Sequence, residues 1–164
     1  MRVRAVALAV VSAAALLTAC SGSRSPSADN AGQSTAKWYA SGGKDRITAL
    51  VTTTGHVLDG IETMNSGGYT QVGLTRLNTW CGALVGDVQK AEAYAPVPDE
   101  KIQYSWAAAV GQLGQGAAAC KDATSTSGNV PAAVTASAAT LKSGLTNLRT
   151  VLETVDTSAA SPAH

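Results

Sequence analysis

Between Ile47 and Val155, apolar residues recur at spacings alternating between three and four in four separate runs. That is the period of a helix burying one stripe, narrowed to the seam of helices packed with a left-handed twist. The first run is Ile47, Leu50, Thr54, Val57, Ile61 and Met64, and the second is Leu74, Leu77, Cys81, Leu84, Val88, Ala91 and Ala95. The third is Ile102, Trp106, Ala109, Leu113, Gly116, Cys120 and Ala123, and the fourth is Val134, Ala138, Leu141, Leu145, Leu148, Leu152 and Val155. No seam position is charged. Only Thr54 brings a hydroxyl, and a helical Thr usually bonds a carbonyl one turn back.

The breaks between runs carry stop and start signals. Asn65-Ser66-Gly67-Gly68 separates the first pair, Pro96-Val97-Pro98-Asp99 the second, and the stretch from Ser125 to Pro131 the third. Asp99 suits an N-cap, where its carboxylate can accept the orphan amide hydrogens of the third helix. Connections this short force neighbours antiparallel, so the expected fold is all-α, an up-down-up-down four-helix bundle over residues 38–156.

Outside that span the pattern changes twice. Met1-Arg2-Val3-Arg4 precedes an apolar run from Ala5 to Leu17, the length of a signal-peptide core and short of the roughly 20 residues that span a bilayer. Leu17-Thr18-Ala19-Cys20 then places small residues before a thiol, and polar Ser21, Gly22, Ser23 and Arg24 follow at once. Positions 17–20 resemble the lipobox of bacterial lipoproteins. The resemblance implies a signal peptide over 1–19, removed before Cys20, and a covalent lipid (palmitate) on Cys20 as the only attached group. Without adjacent arginines the route is general export. The stretch up to Lys37 is rich in Ser, Ala and Gly, so residues 20–37 read as a disordered tether with an r.m.s. reach of roughly 20–25 Å. Residues 157–164 read as a frayed tail.

Loss of Arg2 and Arg4 leaves 145 residues carrying 10 Lys and Arg against 11 acids. With no cluster of cations to neutralise a row of phosphates, nucleic acid is excluded as a partner. The charge is too small for strong attraction to an anionic bilayer, so the lipid does the anchoring. The expected address is the extracytoplasmic face of the cell membrane.

In an oxidising space, and with Cys20 acylated, only Cys81 and Cys120 remain to pair. Both lie on seams, so the expected bond joins the second and third helices. It sets Val88 beside Leu113 and Ala95 beside Trp106, large against small. The midpoint of that pairing falls near Glu100, past the Val97 turn, so either the connection climbs or the helices are offset. Cys81, the Pro96-Val97-Pro98-Asp99 turn, Trp106 and Cys120 together look like the Ala/Gly/Thr-rich extracytoplasmic domains of actinobacterial lipoproteins. That likeness covers about a third of the mature chain and implies an architecture and a host group, with no activity to carry over.

Candidate chemistry is sparse. Bundle metal sites use inward Glu residues and Glu-x-x-His pairs, whereas His56 and Asp59 occur once, reversed in order, and fall with Glu62 on the solvent side of the first helix. A Ser or Cys nucleophile needs a base in reach, and His56 is the only histidine before the tail. Asp99 with Glu100 and Asp87 with Glu92 suit capping and solubility. No catalytic residue, metal ligand or cofactor is assigned. Gly82, Gly86, Gly111, Gly114, Gly116 and Gly144 each cost about 1 kcal/mol in a helix. They serve either close helix approach or a smooth face with Ala107, Ala108 and Ala118 on which a partner docks. Trp80, Tyr94 and Trp106 outline a groove between helices for an apolar or sugar-like ligand, or else simply fill the core. Trp38-Tyr39 either staples the start of the first helix or touches lipid headgroups. The expected function is a non-catalytic interaction module of the envelope with a protein partner, and the alternative is a small-ligand binder using the aromatic groove.

Overall fold

A computed structural model describes the backbone of residues 28–125 and 128–160 and the side chains of 32–125 and 128–157. The described chain is all-helical: α1 Ala28–Trp38, a kinked segment Tyr39–Gly43, α2 Lys44–Gly67, α3 Gln71–Glu92, α4 Glu100–Ser125 and α5 Val130–Ala160. Neighbours run α2 to α3 to α4 to α5 and back to α2, which closes a four-helix bundle. Facing residues show the directions. Arg46 meets Tyr94, Thr53 meets Asp87 and Gly60 meets Trp80, so numbers rise along α2 as they fall along α3. Asn78–Thr124, Cys81–Cys120 and Val88–Gly114 do the same for α3 and α4, as Gln112–Asn147, Leu113–Gly144 and Gly116–Leu141 do for α4 and α5. The topology is up-down-up-down.

Helices α3 and α4 start where a side chain satisfies their first amides. Thr70 Oγ1 accepts from Gly73 N at 3.1 Å to open α3, and Asp99 Oδ1 accepts from Lys101 N and Ile102 N at 2.9 and 3.0 Å to open α4. Gly68, at φ 93°, ends α2 in a conformation that suits glycine.

The first and third stripes are buried as the sequence predicts, with Val110 and Ala117 added to the third. The fourth stripe slips. Leu145 and Leu152 are only half-buried, and Gly144 and Val151 take the inward positions. The cause is close approach between α4 and α5: a Cβ on Gly144 would lie 2.8 Å from Leu113 Cγ, and one on Gly116 would lie 2.7 Å from Leu141 Cγ. Two leucines seat over two glycines, and the seam rotates to let them. In the second stripe Leu74 is half-buried and Ala95 is exposed, beyond the end of α3.

The core contains no ionisable side chain among the described residues; its polar members are Thr35, Thr54 and Ser137. Ser137 donates to Val134 O at 2.7 Å, but the Thr54 hydroxyl has no partner and does not reach the carbonyl one turn back. The site buries a hydroxyl as if it were a methyl group.

Both tails are shorter than the sequence suggests. The expected tether over 20–37 gives way to helix at Ala28, and Thr35 is fully buried; the expected tail over 157–164 is helical as far as Ala160. Ala, Gln and Lys are good helix formers, and docking of a single large ring, Trp38, orders a segment with no apolar period. Residues 1–27 and 161–164 lie outside the described residues, and with them the expected signal peptide and Cys20.

Candidate functional site at the aromatic end

Cys81 and Cys120 are bonded, with Cα atoms 5.9 Å apart, and both are fully buried. That bond, with Val88 set against Gly114, brings the end of α3 at Glu92 level with the region of Ala109 and Val110. The pairing sits one residue from the expected Val88–Leu113. The helices are therefore offset, and the first two to three turns of α4 overhang α3 by about 15 Å. The connection Ala93–Asp99 climbs part of that overhang: Val97 is buried and its N–H donates to Gln103 Oε1 at 2.6 Å.

Trp38 fills the remainder. Its indole N–H donates to Ala95 O at 2.7 Å, its ring stands edge-on to Trp106 at 5.6 Å, and it lies tilted against Tyr94 at 5.7 Å. These are geometries aromatic pairs favour. The kink after α1 makes the insertion feasible. Gly43 leaves space that a Cβ would take from the Trp38 ring, and Gly42 turns the chain at φ 143° beside the Tyr94 hydroxyl. Ser41 Oγ donates to Trp38 O at 3.1 Å and lies 3.2 Å from Tyr94 Oη. The Arg46 guanidinium sits over the Tyr94 ring at 5.6 Å, with its Nε buried and unpartnered. Tyr39 follows Trp38 in the kink. Partial burial raises its phenol above 10.0, and the Asp156 charge raises it further.

Of the three groove residues expected from sequence, the structure brings two together. Tyr94 and Trp106 line a cleft of about 360 Å³ with Ala91, Pro96, Ala107, Val110 and Gly111, and Glu92 and Gln103 add polar atoms. Trp106 is almost wholly buried, and Tyr94 is half-buried. Trp80 is elsewhere. Fourteen positions earlier on α3, about 20 Å away, it lies on Gly60 and stacks on His56 at 6.1 Å. The helix rise separates residues that a seam diagram draws as one groove. The partner missed in the sequence is Trp38. The Trp-Tyr followed by Gly-Gly was its signal, since paired glycines next to a ring are where a backbone yields to it.

His56, Asp59 and Glu62 are exposed. Among the described residues no group of three or more His, Cys, Asp or Glu is placed to hold a metal ion, and no helix is long and apolar enough to cross a membrane. Asp87 is structural, accepting from Thr53 Oγ1 at 2.8 Å across the α2–α3 seam while pairing with Lys90 at 3.1 Å. Asn78 holds α3 to the end of α4, and Asn147 holds α5 to Gln112. The arrangement can bind and can present a surface. Comparison with protein-family models, curated proteins and solved structures gives no match.

Proposed function

We propose that the protein is an exported lipoprotein, acylated on Cys20 and held on the extracytoplasmic face of the cell membrane. There its bundle serves as a non-catalytic interaction module for an envelope protein. The lipobox-like Leu17-Thr18-Ala19-Cys20 supports the address, and the actinobacterial likeness supports the architecture. The observation that carries the rest is how the polar side chains are used. Thr53, Asn78, Asp87, Gln112 and Asn147 tie helix to helix, and Thr70 and Asp99 cap. A clamped, apolar, filled bundle is a rigid support whose outer faces are its means of acting.

The test has two arms. Mass measurement of the N-terminal peptide from cells should find a lipid-bearing Cys20, and Cys20→Ala should release the protein to the aqueous fraction; an unmodified Cys20 refutes the anchor. Photo-crosslinking residues at Val72, Ala107 and Ala118, all exposed, should give at least one discrete protein adduct in living cells. Failure of every position to capture a protein refutes the module.

The cleft at Tyr94 and Trp106 supports a second reading, a binder of a small apolar or sugar-like ligand. Trp106 is core and unsuitable as a probe by mutation. Gly111 lines the cleft and has open space around it, so Gly111→Leu should abolish any ligand-induced change in tryptophan emission while leaving the circular dichroism unchanged. A ligand response that survives Gly111→Leu refutes this reading.

A further inference from the structure

We propose that the bundle stands on the bilayer by its aromatic end, so that the opposite end, with the α2–α3 turn and the start of α5, is what the protein presents to its surroundings. The inference rests on the lipid-anchor reading above and adds an orientation to it.

The argument is one of chain length and placement. Trp38 is fixed at one end of the bundle, beside Ala95 and Trp106, and Tyr39 feels the charge of Asp156 near the end of α5. Between Cys20 and Ala28 lie eight peptide units, at most about 28 Å fully extended and roughly 16 Å as a coil. The expected tether ran to Lys37; with α1 folded and docked it is half as long. The bundle itself is longer than this leash, since α4 alone spans about 39 Å. Across the kinked helical segment α1 leads into α2 and packs on α5 rather than back along α2, so Ala28, where the tether joins, stays at the aromatic end. The aromatic end therefore stays nearest the lipid, and the Gly67–Thr70 turn is held away from it.

Side chains at this end suit a headgroup layer. Tyr104, 80% exposed, is one of two large hydrophobic residues left open on the described surface, and it lies on the overhanging start of α4, the end of the bundle at which Ala95, Pro96 and Pro98 are also exposed. Tyrosine favours the membrane–water boundary, where its ring and hydroxyl meet different media. The other open residue, Val72 at 71%, lies in the first turn of α3 at the opposite end, at least about 30 Å along the bundle axis from Tyr104.

Those two residues provide the test. Acylated protein carrying a fluorophore on Tyr104→Cys or on Val72→Cys is reconstituted into phosphatidylethanolamine–phosphatidylglycerol vesicles containing a headgroup-attached collisional quencher. Both sites are exposed, and the buried disulfide leaves the added thiol as the one free to label. The label at 104 should be quenched several-fold more than the label at 72. Inserting twenty Gly/Ser residues between Ser27 and Ala28 should bring the two close to equal. Equal quenching in the unmodified chain, or stronger quenching at 72, overturns the orientation while leaving the anchor standing. Failure of the protein to float with vesicles overturns the anchor, and the orientation with it.

Discussion

Alanine placed at the helical glycines should raise stability at some positions and lower it at others, with the sign set by what a Cβ meets. At Gly82, Gly86 and Gly111 it meets nothing within 4 Å. The substitution there gains only the backbone preference, about 1 kcal/mol each. At Gly116 it would lie 2.7 Å from Leu141 Cγ and 3.1 Å from the Leu141 backbone nitrogen, and at Gly144 2.8 Å from Leu113 Cγ and 3.0 Å from the Leu113 nitrogen. A side chain can rotate aside, but a backbone nitrogen moves only if α4 and α5 separate. Overpacking of that kind costs about 1–3 kcal/mol, so the net loss is up to about 2 kcal/mol after the helical gain of about 1 kcal/mol. For a domain of this size 1 kcal/mol shifts the melting temperature by about 4 °C. Melting of the oxidised domain followed by far-ultraviolet circular dichroism should therefore rise by about 10 °C in the triple variant Gly82→Ala/Gly86→Ala/Gly111→Ala, because each added methyl group meets open space. It should fall, by up to about 8 °C, in Gly116→Ala or Gly144→Ala. Gly116→Ala and Gly144→Ala melting higher than the parent would refute the claim that these two glycines set the α4–α5 distance.

Thr54→Val removes a buried hydroxyl without a partner at constant shape, so urea denaturation should show a gain of about 1 kcal/mol with an unchanged slope. Cys81→Ala/Cys120→Ala opens a loop of sequence separation 39; in the chain-entropy model the domain loses about 4 kcal/mol, and a denaturation midpoint insensitive to reductant in the parent would contradict this. Tyr39 titrates above 10.0 in the folded protein, through partial burial first and Asp156 second. A raised folded value means that its contribution is complete below the unfolded value and lost as pH rises through the folded one. Stability should thus decline above about pH 10 less steeply in Tyr39→Phe than in the parent, and Asp156→Asn should lower the phenolate midpoint seen by ultraviolet absorbance.

Much of the bundle is legible in the sequence because its seams are apolar stripes of constant period. Ile47 through Met64 and Ile102 through Ala123 are buried residue for residue, and Asp99 caps as its type predicts. The fourth stripe was misread at Leu145 and Leu152 because hydrophobicity ranks leucine above glycine, whereas shape decides here: Leu113 needs a hole, and Gly144 is one. The aromatic site was half legible. Tyr94 and Trp106 lie near the Pro-Val-Pro turn and so near each other, but Trp38 arrives from 57 residues before Ala95, a distance no periodic pattern encodes. Trp80 was drawn into the same groove because a heptad diagram collapses the helix axis.

The tie between Trp38 and Ala95 also says something about assembly. Each seam between consecutive helices joins near neighbours in sequence, contacts that form quickly because little chain must be closed into a loop. The α1–α5 contact spans almost the whole chain, and the Trp38 socket exists only once α3 and α4 have met. The helix that comes first in the chain is thus the one whose socket is completed last. Without it, the rings of Trp106 and Tyr94 stand open at the tip of an otherwise closed bundle.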